Sequence, residues 1–220
     1  MKYKLVIFDL DGTLIDTIAD LGTAVNVALR GRGLPEHGLE EYRGMVGHGV
    51  RNLVTKAMPE ALRDDTALLE TLLAAFLDYY LQHIDERSRP YPGIPELLAD
   101  LSAQGVQLAV ASNKFQAGTE KLIRRMFPLI PFAAVLGGQP GAPLKPDPAI
   151  VERICAETGV SREETVMVGD SGTDIATAAN AGVGCIAVTW GFRSREALSA
   201  APMLSDTAEE LRALLLGLPH

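Results

Sequence analysis

Five short apolar runs rich in β-branched residues fall at residues 5–8, 106–111, 133–136, 165–168 and 184–189, and helical patterns separate most of them. Runs of that length and composition suit strands buried on both faces, and their alternation with helices predicts a parallel sheet covered on both sides. The expected fold class is therefore α/β, with a Rossmann-like parallel sheet core. Helical spacing occupies 94–104, 117–126, 148–158 and 174–181, and a closing helix is expected at 207–216 with Ser205 or Asp206 as its cap. Gly105, Gly159 and Gly182 stand where helices should stop, because glycine readily takes the left-handed conformation that ends a helix.

One segment breaks the alternation. No strand pattern occurs between Thr17 and Ile84, where residues 17–30, 50–57 and 67–84 have helical spacing instead. The run Pro90-Tyr91-Pro92-Gly93 then reads as a stiff turn back into the α/β pattern. The expected organisation is an α/β core made of residues 1–15 and 88–220, carrying a small helical cap inserted at 16–87.

The net charge of −8 argues against nucleic acid or an anionic membrane as the main partner, since both demand a positive surface. A small anionic substrate remains compatible, because one cationic pocket can exist in an acidic protein. Cys155 and Cys185 lack metal-ligand spacing and read as free thiols. No stretch reaches the length of a membrane span, and Asp9 and Asp11 interrupt the first apolar run too early for a signal peptide. A cytoplasmic protein is expected, monomeric or homodimeric. None of His37, His48, His83 and His220 has a partner at metal-ligand spacing.

Chemistry-bearing residues collect where the strands should end. Asp9 and Asp11 follow the first run and, two apart on an extended chain, face the same way. Two acids facing one cleft repel each other, and a hard divalent cation such as Mg2+ gives a reason to keep them. Ser112, Asn113 and Lys114 follow the second run, where a hydroxyl and free N–H groups suit phosphate oxygens, although Ser and Asn also cap helices. Lys145 precedes Pro146, which disfavours helical geometry for it. Read alone it is an exposed loop lysine whose removal should barely affect stability. Asp170 and Asp174 flank a glycine-rich turn after the fourth run, and Asp174 could cap the helix that follows. In a parallel sheet these ends converge on one crevice.

With all four groups in this order, the sequence resembles the haloacid dehalogenase superfamily of phosphohydrolases. Asp9-Leu10-Asp11-Gly12-Thr13 resembles its first motif, Ser112 its second, Lys145 its third and Gly169-Asp170-Ser171-Gly172-Thr173-Asp174 its fourth. The longer stretches Phe8–Thr17 and Lys145-Pro146-Asp147-Pro148 look most like the phosphoglycolate phosphatase branch. The resemblance implies a Mg2+-dependent phosphatase acting on a small phosphorylated metabolite. In it, Asp9 is the nucleophile, Asp11 the acid and base, Ser112 the phosphoryl holder and Lys145 the charge that offsets Asp9 and phosphate. Thr13 and Asn113 join Ser112 and Lys145 as substrate contacts. The implied metal set is Asp9, the backbone carbonyl of Asp11, and Asp170, with Asp174 acting directly or through water.

Rival readings remain open. Dehalogenases need no acid at the position of Asp11. A phosphonate hydrolase of the superfamily lacks that acid and uses a cap lysine, whereas Lys56 here reads as a solvated helix residue. A phosphosugar mutase uses the same two aspartates, and a pyrophosphatase of the superfamily also remains possible. From other classes, a phosphoacceptor domain is usually shorter and lacks a helical insertion, and a non-catalytic binding protein should have lost a motif residue. Substrate choice should come from the cap. There the Met45–Asn52 segment offers a turn with Gly47, Gly49, His48 and Arg51 that could take a substrate carboxylate. The alternative is that the glycines only separate two helices and Arg51 is solvated.

Overall fold

A computed structural model describes residues 3–217, so His220 lies outside the described residues. The order of elements is β1 (Leu5–Phe8), β2 (Ile15–Asp16), α1 (Ile18–Arg30), α2 (Leu39–Arg43), α3 (Gly49–Ala57), α4 (Thr66–His83), β3 (Arg89–Pro90), α5 (Ile94–Ala103) and β4 (Gln107–Phe115). There follow α6 (Gln116–Met126), β5 (Phe132–Gly138), α7 (Ala149–Thr158), β6 (Thr165–Gly169), α8 (Gly172–Ala181), β7 (Gly184–Val188), β8 (Leu204–Ser205) and α9 (Ala208–Leu216).

Six strands form one parallel sheet in the order β5-β4-β1-β6-β7-β8. The central β1 is apolar throughout because both its faces are covered. Val6 and Phe8 join the core beneath α5, α6 and α9, whereas Leu5 and Ile7 join the opposite core beneath α7 and α8. The chain winds outward from β1 to β4 and β5, then returns to β6 on the other side of β1. That reversal opens a crevice beyond the carboxyl ends of β1, β4 and β6, where open α/β sheets hold ligands.

The helices α1–α4 form the inserted segment and pack on one another, α1 against α4 and α2, α3 against α4. Leu21, Leu53, Phe76 and Tyr80 belong to the same apolar cluster as Val6 and Phe8. Burying that face is what keeps the insertion seated over the strand ends. Its entry and exit are tied together. β2 pairs antiparallel with β3, and the buried Asp20 carboxylate accepts N–H bonds from Arg87 and Ser88 and the Ser88 hydroxyl at 2.7–3.1 Å.

Three features depart from the sequence reading. The strand at the second apolar run continues to Phe115, with irregular register between Ala111 and Phe115, so Ser112, Asn113 and Lys114 lie on the strand. The β2–β3 ribbon, α2 and β8 are too short to leave a periodic signal. The cap of α9 is Thr207, whose side chain accepts the Glu210 N–H, rather than Ser205 or Asp206.

Candidate active site

Asp9 is the first residue past β1, and its N–H donates to Val168 O on the neighbouring β6 at 2.9 Å. Asp170 is the first residue past β6. Because Phe8 pairs with Val168, the two acids leave the sheet side by side. Carboxylate oxygens of Asp9, Asp170 and Asp174 all lie within 4.8 Å of one another. Gly12 turns the chain over Asp170 at φ +90°, and a Cβ at Gly12 or Gly191 would overlap the Asp170 side chain. The Phe192 N–H donates to Asp170 Oδ2 at 2.7 Å, and Thr13 Oγ1 lies 3.5 Å from its Oδ1.

Lys145 is not an exposed loop residue. Its side chain is 2% exposed, and its ammonium reaches Asp9 Oδ1 at 2.9 Å, Asp174 Oδ1 at 2.7 Å and Ala111 O at 2.8 Å. A lysine tolerates such burial only when paired. Burial alone would lower its pKa, but Asp174 and Asp9 outweigh it and raise the pKa, so the ammonium stays charged. The burial and pairing of Lys145 count against the expectation that its removal barely affects stability. Asn113 fixes the loop that carries it, accepting the Lys145 N–H at 2.8 Å and donating to Lys145 O at 3.0 Å and Gly47 O at 2.9 Å.

Asp174 completes a capping box with Ser171, the N-cap of α8, and also holds Lys145. Its Oδ2 accepts the Ser171 N–H and hydroxyl at 3.1 and 2.6 Å, and its Oδ1 faces Lys145. Ser112 does not cap α6, whose cap is Phe115; its Oγ accepts the Lys114 N–H at 3.1 Å. The Asp11 side chain lies outside the three-acid group. It is held by Lys114 Nζ at 3.0 and 3.2 Å and by Thr17 Oγ1 at 2.7 Å.

Crowded carboxylates in a dry site resist ionisation. Burial pushes Asp9 up to about 7, with Lys145 pulling it back and Asp174 and Asp11 adding to the rise. Burial pushes Asp170 to about 8, reinforced by Asp174 and Asp9. A hard divalent cation would offset this repulsion, and an all-oxygen donor set suits one. The residues present therefore fit such an ion.

These groups line one cavity, whose polar floor is Asp9, Asp11, Ser112, Lys114, Lys145, Asp170 and Asp174. Its opposite wall is apolar and comes from the insertion, with Leu21, Val46, Val50, Leu53 and Phe76. Gly47 and Gly49 reach the cavity, but His48 and Arg51 do not line it. Arg51 is exposed on α3 and paired with Glu70 at 2.5 Å, so the proposed carboxylate contact finds no support in its position. His48 sits at the start of α3, with its pKa lowered mainly by burial.

Residues 6–188 match the pattern of the haloacid dehalogenase-like hydrolases. The chain belongs to that family. A phosphoglycolate phosphatase from Mesorhizobium japonicum is 38% identical over 196 residues, covering 89% of this chain and 86% of its own. One from Pseudomonas putida is 38% identical over 218 residues, covering 97% of this chain and 79% of its own. A crystal structure from Lactobacillus delbrueckii subsp. bulgaricus superposes with a TM-score of 0.92 at 36% identity, covering 99% of this chain and 100% of that one. Family and relatives together make the chain a phosphatase, an enzyme that hydrolyses phosphoric monoesters.

Two cavity residues of this hydrolase escaped sequence reasoning. Lys114 was visible only as a neighbour of Ser112 and Asn113, although it pairs with Asp11. Arg193 follows the last long strand, and its guanidinium donates to Val46 O at 2.6 Å and to Arg43 O, clasping the insertion to the sheet end. A basic residue in a Gly-Phe-Arg-Ser loop carries no local signal of that contact.

Proposed function

We propose that this hydrolase cleaves small anionic phosphate monoesters in the cytoplasm, with 2-phosphoglycolate the first candidate, through a covalent aspartyl-phosphate on Asp9. One observation carries the reading: Asp9 Oδ1 lies 2.9 Å from Lys145 Nζ, beside two further carboxylates, at a strand end inside a cavity. A carboxylate held by a buried ammonium is oriented and shielded for attack on phosphorus. In this reading Asp9 forms an O–P bond as the bond to the leaving oxygen breaks, and Asp11 gives that oxygen its proton. Asp11 then takes a proton from the water that cleaves the acyl phosphate.

Mg2+ would be held by Asp9 and Asp170 with the Asp11 backbone carbonyl, and when bound it supplies positive charge against the repulsion between Asp9 and a phosphate dianion. Asp174, whose oxygens serve Ser171 and Lys145, orients the lysine rather than the ion. Ser112 Oγ, Thr13 and the backbone near Asn113 receive the phosphoryl oxygens, while Lys145 offsets the charge spreading over them in the transition state. In the proposed division, residues 16–87 are a cap and residues 1–15 and 88–220 the core. The cap's apolar wall over the strand ends favours a small substrate and limits water. The relatives named as phosphoglycolate phosphatases support that choice.

The test is phosphate release from a panel of phosphorylated metabolites, with Mg2+ and with chelator. The expected result is a cation-dependent kcat/KM that is highest for 2-phosphoglycolate. A preference for a hexose phosphate or pyrophosphate would reject the substrate, and full activity without divalent cation would reject the ion.

A further inference from the structure

Among the described residues, the cationic side chains lining the cavity are Lys114, Lys145 and Arg193. The Lys145 ammonium spends its donors on Asp9, Asp174 and Ala111 O. Two N–H groups of the Arg193 guanidinium donate to carbonyls of Arg43 and Val46 and tie it to the insertion. Lys114 is different. Its side chain is 2% exposed, its ammonium holds both oxygens of Asp11 at 3.0 and 3.2 Å, and it stands 4.7 Å over the ring of Tyr80 on α4.

Asp11 cannot serve Lys114 and a leaving oxygen equally. As its carboxyl engages the substrate, Lys114 loses its one ion pair among the described residues, with Asp9 and Asp20 left as more distant charges, and a buried ammonium that loses its pair is costly unless another anion arrives. The side chains of the cavity wall made by Leu21, Val50, Leu53 and Phe76 carry no charge to meet a substrate carboxylate. The ammonium beneath that wall does. Resting on the phosphatase reading above, we propose that Lys114 determines specificity: its ammonium takes the carboxylate of an acidic substrate in exchange for Asp11. An ester without a second anion would leave the pair with Asp11 intact and react more slowly. Substrate charge and the freeing of the acid are thereby coupled at one side chain.

The test compares 2-phosphoglycolate with 2-hydroxyethyl phosphate, which replaces the carboxylate by an alcohol at similar size. Both esters are assayed with Mg2+ on the wild type and on Lys114→Met, with Lys114→Gln as the second variant should the first not melt cooperatively. The expected result is a wild-type preference for the carboxylate ester that falls by about 10- to 100-fold in the variants, the scale of a lost charge-assisted contact. Equal losses on both esters would overturn the proposal, leaving Lys114 as a support for Asp11 and the substrate reading intact. An undiminished preference would overturn it likewise. A wild type that does not prefer the carboxylate ester would reject 2-phosphoglycolate as the substrate and the proposal with it.

Discussion

Replacing Lys145 by alanine should damage folding and catalysis together, and the structure sets both magnitudes. The ammonium is sealed from solvent and lies within 2.9 Å of Asp9 and 2.7 Å of Asp174. Removing it strands two carboxylates in a dry site, and breaking a buried pair from one side costs about 3–5 kcal/mol. At about 2.1 cal/mol/K per residue, unfolding a chain of 220 residues carries an entropy near 0.46 kcal/mol/K, so the melting temperature should fall by about 7–11 °C. Added Mg2+ should restore part of that loss, because a cation between Asp9 and Asp170 relieves some of the same repulsion. Catalysis should fall by about 100-fold or more, since the charge that offsets the transition state is gone. The assay is a thermal melt by circular dichroism in chelator and in Mg2+, beside steady-state phosphate release. Lys145→Met, which keeps the volume of the stem, separates lost charge from lost packing. A Lys145→Ala protein that melts within about 2 °C of wild type, with kcat/KM within about twofold, would refute the reasoning, because neither burial nor pairing would then matter.

Asp9→Asn should abolish turnover while the protein still melts cooperatively, and near-normal phosphate release by that variant would remove Asp9 as nucleophile. Burial raises the pKa of Asp9 and Asp170 to about 7 and about 8, above their ordinary value of 3.8, so the cation-free fold binds protons that the unfolded chain releases. Stability in chelator should therefore fall as pH rises from about 4 to about 8, and Mg2+ should raise the melting temperature more at the higher pH; an Asp170→Asn variant should show a weaker pH slope, and an unchanged slope would count against the assignment. Gly12→Ala should lower both stability and cation affinity, because φ +90° disfavours a side chain and its Cβ would overlap Asp170; unchanged melts and Mg2+ dependence would count against it. Arg51→Ala should leave kcat/KM for 2-phosphoglycolate within about twofold of wild type, since its exposed pair with Glu70 is worth little; a loss of about tenfold would bring Arg51 back to the site.

The sheet was legible because its strands are buried on both faces, which leaves continuous apolar runs such as Leu5–Phe8, and because each run ends on residues that have no reason to be apolar. Asp9, Ser112 and Asp170 stand out by that contrast, and parallel topology brings the first, second and fourth strand ends together. What the sequence concealed depends on contacts far along the chain. The pairing of Lys114 with Asp11 spans 103 positions, and the reach of Arg193 to Val46 spans 147. No periodicity encodes either. The burial of Lys145 was equally hidden, since a lysine next to proline looks solvated until two carboxylates and Ala111 O surround it. Arg51 failed in the opposite way. Proximity to Gly47 and Gly49 suggested a ligand, but at the third residue of α3 the side chain already pairs with Glu70 and is exposed.

Charge balance ties these pieces into one argument. The cavity gathers four carboxylates, Asp9, Asp11, Asp170 and Asp174, against two buried ammoniums, Lys114 and Lys145. Fully ionised, those six groups leave two negative charges in excess, partly offset by the Arg193 guanidinium that also lines the cavity, and the repulsion among the carboxylates adds to the burial that raises Asp9 and Asp170. The ammoniums are divided between tasks. Lys145 serves the nucleophile side and is held by Asp174, whose other oxygen accepts from Ser171 at the start of α8. Lys114 serves the acid side and is held by Asp11 and the face of Tyr80, on a helix of the insertion. The insertion reaches the Lys145 side as well, because Asn113 donates to Gly47 O and to Lys145 O.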